Sequence, residues 1–160
     1  MNITTPDMYD RLAILQQYRH VAIVGVSADQ YRPSHFVAIY LQAEGYDIVP
    51  VNPRYAGQTI LGKRVYATLS EAKAAGEQIE IVDVFRKPED VPPIAEEAIA
   101  IGAKVLWLQL GIRNDEAARK AQAAGLTVVQ DRCMKIEHAR FFGGQHTVGL
   151  NTGVILSKKL

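Results

Sequence analysis

Polar and turn-forming residues follow each of five apolar runs in this chain. Gly25, Val26 and Ser27 follow "VAIV"; Val51, Asn52 and Pro53 follow "YDIVP"; Phe85, Arg86, Lys87 and Pro88 follow "IEIVDV". Gln109, Leu110 and Gly111 follow "KVLWL", and Asp131, Arg132 and Cys133 follow "LTVVQ". The first of these turns has the clearest chemistry. In "VAIVGVSADQYRPSHF", Ser27, Arg32, Pro33 and Ser34 surround a helix start, with Pro33 suited to the first helical turn and Ser34 to a cap. Free backbone N–H groups and the positive end of the helix dipole attract an anion there, and Arg32 can add a bidentate phosphate contact. The same residues also read as a plain cap and a solvated surface charge.

A dinucleotide loop carries three glycines and an acid about 20 residues on. Here Gly25 stands without the second and third, and Asp47 opens a strand at the wrong edge, where Asn52 holds the right one. An NAD(P)- or nucleotide-binding regulator is therefore a disfavoured alternative. Covalent chemistry has one candidate, Cys133, with Arg132 and Lys135 close in sequence to favour its thiolate. A lone cysteine also serves as a small buried apolar side chain. His20 precedes the first strand, His35 opens the second helix, His138 follows the last strand and His146 lies in the tail; no triad or carboxylate pair assembles around them.

These residues need a frame that brings strand ends together. The apolar runs alternate with amphipathic ones that close at Gly45, Gly76, Gly102 and Gly125, where a left-handed cap releases a helix into the next strand. The runs are almost continuous in Val, Ile and Leu, as in sheets covered on both faces. The expectation is an α/β fold: a Rossmann-like doubly wound parallel sheet of about five strands, preceded by a short helix after Thr5, Pro6 and Asp7. The stretch "NPRYAGQTILGKRVYATLS" is the least regular connection and suggests a small extra strand or hairpin. Trp107 reads as core, Glu96 and Glu97 as a solvated helix face, and Tyr31 and Tyr55 as loop rings that cover a ligand or pack.

The bulk numbers narrow the class of function. A chain of 160 residues is expected to form one domain, with its core over about 15–144 flanked by the N-terminal helix and a C-terminal tail. Eighteen basic against seventeen acidic residues give a net charge of +1, so nucleic acid and anionic membrane surfaces are not expected partners. No apolar run approaches a membrane span, the N-terminus has no secretory h-region, and a cytoplasmic location is expected. One cysteine excludes an intrachain disulfide, and four scattered histidines argue against a metal.

In order, "VAIVGVSADQYRPS", "YLQAEGYDIVPVNP", "GKRVYATLSE", "IEIVDVFRKPE", "WLQLGIRN" and "VVQDRC" resemble the stand-alone CoA-binding domain proteins, whose fold is similar to the N-terminal domain of the succinyl-CoA synthetase α-subunit. The resemblance covers roughly 15–144. It implies coenzyme A or an acyl-CoA bound at the carboxyl edge of the sheet, without catalysis by this chain alone. Carried onto matching positions, Gly25, Val26, Ser27, Arg32 and Ser34 border the phosphates, and Val51, Asn52 and Pro53 line the nucleotide side. Lys63 reaches a phosphate from the irregular connection. Val84, Phe85, Arg86 and Pro88 flank the adenosine or the arm, and Gln109 lies along the arm. Arg54 adds a cation, and Ile94 and Leu108 add apolar wall. Alternatives are an acyl- or thiol-transfer enzyme using Cys133, or one subunit of a CoA ligase. A homo-oligomer or an unidentified protein partner fits equally well.

Overall fold

The computed structural model describes residues 3–143; the expected tail, with His146, lies outside the described residues. Helix α1 (Met8–Gln17) starts where the sequence marks it, at Asp7, whose carboxylate accepts from the Asp10 N–H while the Asp10 carboxylate accepts from the Asp7 N–H. These reciprocal bonds satisfy donors that a helix start leaves free. Leu15 fastens α1 to the core; it is wholly buried, which contributes about 1.5–3 kcal/mol. Arg11 donates to the buried Glu137 carboxylate and to the Pro6 carbonyl, tying α1 to the far end of the chain.

Five parallel strands form the main sheet: β1 (His20–Val24), β2 (Asp47–Val51), β5 (Ile81–Val84), β6 (Val105–Leu108) and β7 (Thr127–Val129). Their spatial order is β2-β1-β5-β6-β7. The expected Rossmann-like parallel sheet is thus present. The irregular connection holds a hairpin, β3 (Thr59–Ile60) and β4 (Lys63–Arg64), and the chain then runs parallel beside β2 to a bridge between Tyr66 and Val51. Pro50 is tolerated inside β2 because β2 edges the main ladder: the Pro50 carbonyl faces outward to the Tyr66 N–H, so no inner ladder bond is lost.

Each face of the sheet has its own core. Ala22, Val24, Val82, Val84, Leu106 and Leu108 face α3 (Leu69–Ala74), α4 (Val91–Ala100) and α5 (Asp115–Ala123). Val21, Ile23, Ile81, Val105 and Trp107 face α1, α2 (Pro33–Ala43) and α6 (Met134–His138). Period-two alternation sends successive residues to opposite cores, which is why both sets are apolar. Trp107 is fully buried, its indole N–H held by the Arg132 carbonyl at 2.8 Å. Helix α2 covers one face and α4 the other, so the crossovers leaving β1 and β5 diverge. The crevice between those two neighbouring strands is the place where open α/β sheets bind ligands. No helix among the described residues is long and apolar enough to cross a membrane.

Candidate functional site

Gly25 shapes the crevice. Its φ is +90°, and a Cβ added there would lie 2.5 Å from the Phe85 carbonyl oxygen and 2.9 Å from Arg86 Cδ. One glycine lets the turn after β1 press against the end of β5, a contact any side chain would block. The Gly25 N–H donates to the Val51 carbonyl at 2.8 Å, and the Asn52 side-chain amide donates to the Val26 carbonyl at 2.9 Å. Three turns are thus locked into one rim by backbone contacts. Asn52 also accepts the Arg54 N–H through Oδ1, so this buried side chain organises loops with both of its polar atoms.

The turn from Val26 to α2 is closed by serines. The Ser27 N–H donates to Ser34 Oγ at 2.9 Å, Ser27 Oγ accepts from the Asp29 N–H, and His35 Nδ1 sits 2.8 Å from the Ser27 carbonyl. Ser34 therefore differs from the expected cap. Arg32 is the N-cap and makes no side-chain capping bond, while Ser34 lies inside the first turn and fixes the loop. A side chain already inside a helical turn is badly placed to cap it but well placed to receive an N–H from the returning loop. The uncapped N-terminus of α2 opens into a cavity of ≈ 350 Å³ walled by Gly25, Ser27, Arg32, Ser34, Asn52, Arg54, Tyr55, Phe85 and Arg86. Arg86 pairs with Asp90 at 3.3 Å, whereas Arg32 and Arg54 have no acidic partner among the described residues. Arg54 lies over the Tyr55 ring, 5.5 Å from its centroid. Helix dipole and unpaired guanidinium groups act together here to favour an anion.

Pro33, Phe85 and Arg86 are shared with a second, apolar cavity of ≈ 410 Å³, whose other walls are Val37, Gln109, Leu110, Ile112, Cys133 and Ile136. A third, of ≈ 260 Å³, lies over the opposite face; it shares Gly25 and Arg86 and adds Val51, Pro53, Ile94 and Glu97. Nine of the residues singled out from sequence converge on these connected cavities: Gly25, Ser27, Arg32, Ser34, Val51, Asn52, Pro53, Phe85 and Arg86. Gln109 joins them in the apolar one.

Others fall elsewhere. Lys63 is not brought to this rim: its Nζ donates to Asp47 at 2.7 Å, at the amino end of β2, because the strand after the hairpin runs parallel to β2 and begins at that end. Val26 and Val84 are core residues, Leu108 is fully buried, and the Pro88 carbonyl accepts from the Asn114 side chain; none of these four walls a cavity described here. Tyr31 is exposed, whereas Tyr55 is in the wall of the cationic cavity. His138 is buried against Tyr40, whose hydroxyl lies 2.9 Å from its Nδ1. Cys133 is half-buried, and burial pushes its thiol above the ordinary value. The Ile136 and Lys135 N–H groups and, last, the Lys135 charge pull the other way, and burial wins. The Lys135 ammonium lies over the Tyr40 ring, 5.4 Å from its centroid.

Sequence reasoning did not single out Asp83. Wholly buried in the centre of β5, it accepts from the Gln109 side chain through Oδ1, while Oδ2 has no hydrogen-bond partner. Burial raises its carboxyl to about 8, against the smaller lowering effect of Gln109. The signal was an acid interrupting the apolar run "IEIVDVF". Val37, Ile112 and Ile136, walls of the apolar cavity, carried no mark beyond ordinary core patterning.

Comparison with known proteins agrees with this geometry. A family model described as a CoA-binding domain matches residues 19–139. An uncharacterized protein of Bacillus subtilis (strain 168), YneT, is 40% identical over 126 residues, 79% of this chain and 90% of that protein. A hypothetical protein from Pyrococcus horikoshii OT3 of known structure is 40% identical, with a TM-score of 0.79 over 88% of this chain and 98% of that one. The dinucleotide-forming acetyl-coenzyme A synthetase 1 of Ca. Korarchaeum cryptofilum, 18% identical, shares the fold with a TM-score of 0.60 over 73% of this chain and 27% of that one. From the turn that replaces a three-glycine loop to the last strand, this chain belongs to the CoA-binding domain family.

Proposed function

We propose that the protein binds coenzyme A, free or acylated, along the carboxyl edge of its sheet and has no catalytic activity in reversible binding itself. One observation carries this reading: a cationic cavity at a helix N-terminus runs into an apolar cavity across Pro33, Phe85 and Arg86. Coenzyme A has the matching shape, a highly anionic 3′-phospho-ADP head joined to a thin arm that ends in a thiol. Arg32, Arg54 and the first turn of α2 face the phosphates. Ser27 and Ser34 keep the loop open around them. Phe85 and Pro33 flank the neck, and Gln109, Leu110 and Ile112 line the arm. Val51, Pro53 and Ile94, on the opposite side of the Gly25 ridge, offer an apolar shelf for the adenine. Cavities of this size are typical of small-molecule sites.

Calorimetric and thermal titration with coenzyme A, 3′-phospho-ADP, pantetheine and NADH tests the reading. At about 100 times its dissociation constant, coenzyme A is expected to add roughly 2.7 kcal/mol of apparent stability. 3′-Phospho-ADP and pantetheine should each bind more weakly than the whole molecule. Stabilisation by NADH and none by coenzyme A would overturn the assignment.

A further inference from the structure

Reversible binding leaves the chain's one thiol without a role. Cys133 is in the wall of the apolar cavity beside Gln109, Ile112 and Ile136. A second feature of that region points to a ligand independently. Asp83 projects from the face of β5 that α2 and α6 cover, the face on which this cavity lies, since its neighbours Val82 and Val84 belong to the opposite core. Gln109 joins the cavity to the Asp83 Oδ1, and the buried Oδ2 is left without a partner. The Asp83 charge is felt at the Cys133 thiol, which places the two groups in one electrostatic neighbourhood. A buried polar atom without a partner is costly. The amide groups of a pantetheine arm supply the hydrogen-bonding chemistry this corner lacks.

We propose that the apolar cavity receives the sulfur end of the carrier and that Cys133 forms a reversible mixed disulfide with it. This rests on the coenzyme A reading and adds covalent capture to it. The donor is the symmetrical disulfide of coenzyme A. Cys133 loses its proton to solvent, and the thiolate attacks one sulfur of that disulfide. The carrier's S–S bond breaks as the Cys133–carrier S–S bond forms, and the second coenzyme A leaves as a thiolate that takes up a proton. A further thiol reverses the step by the same exchange. Because burial disfavours the Cys133 thiolate, capture accelerates as pH rises.

The test is intact-mass spectrometry of the protein with coenzyme A disulfide or with oxidised glutathione, run beside thermal titration with reduced coenzyme A. Capture directed by the site gives one coenzyme A adduct that dithiothreitol removes. It forms at least about tenfold faster than the glutathione adduct, because the anionic head positions the sulfur. Cys133→Ser gives no adduct yet keeps the thermal shift with reduced coenzyme A. An absent adduct, or glutathione reacting as fast, overturns the capture inference; if coenzyme A still shifts the melting of both chains, the binding assignment survives. No shift in either chain sinks the binding assignment, and the capture inference with it.

Discussion

The two ends of the sheet use charge differently. At the amino end, Asp47 is flanked by Lys63 at 2.7 Å and His20 at 3.2 Å, and Glu80 accepts from the Arg19 and His20 N–H groups. Each charged group there answers another within the fold. At the carboxyl end, Arg32 and Arg54 face a cavity with no acid opposite them, beside a helix start whose N–H groups are uncapped. Cations of the same kind in loops of similar sequence character thus have opposite roles. A basic residue indicates a ligand only where the fold withholds its counter-charge.

The largest expected effect comes from the buried acid between these two ends. In the unfolded chain Asp83 ionises near pH 4, but in the fold it stays protonated up to about 8, so stability falls as pH rises through that window. Asp83→Asn removes the ionisation and keeps an amide for Gln109. Against wild type, its advantage should grow by about 1.4 kcal/mol per pH unit between those limits and be flat beyond them. Urea unfolding at a series of pH values reads this directly; parallel curves would show that Asp83 ionises freely.

Gly25→Ala should come next. A φ of +90° and a Cβ 2.5 Å from the Phe85 carbonyl would cost about 3 kcal/mol in a chemical denaturation midpoint and push the two turns apart. It should also abolish the coenzyme A shift, since the ridge between the cavities is lost. A variant that folds and binds as wild type would mean that the rim does not depend on this close approach.

Arg32→Ala and Arg54→Ala sharpen the contrast between the ends. Each should weaken coenzyme A by about tenfold or more through loss of a charge-assisted contact, leave pantetheine unchanged and alter stability by less than about 0.5 kcal/mol. Calorimetry with both ligands checks the pattern. Lys63→Ala is the mirror case and the smallest effect. Coenzyme A affinity should not change, and stability should drop by at most about 1 kcal/mol, as the pair is partly exposed. The Lys63 hydrogen bond, with a lesser one from His20, holds the Asp47 carboxyl below its usual range. That stabilisation is present above pH 4 and disappears as pH falls through the lowered folded value, so the two chains should converge in acid.

Periodicity and punctuation in the sequence were enough to specify much of this molecule. Near-continuous apolar runs separated by glycine-terminated amphipathic segments leave few folds other than a parallel sheet covered on both faces, and polar residues must then gather where those strands stop. That is why Gly25, Ser27, Arg32, Asn52, Phe85, Arg86 and Gln109 were legible as neighbours before any coordinates. The tertiary structure decided which polar groups remain available. Lys63 resembled the other loop cations until the hairpin carried it to Asp47; Ser34 resembled a cap until the loop folded back onto its hydroxyl. Cys133 looked activated by its basic neighbours until burial outweighed them. Strand order is set by local backbone pattern, which the chain states residue by residue. Pairing and desolvation depend on groups far apart in sequence, and only the assembled fold brings these together.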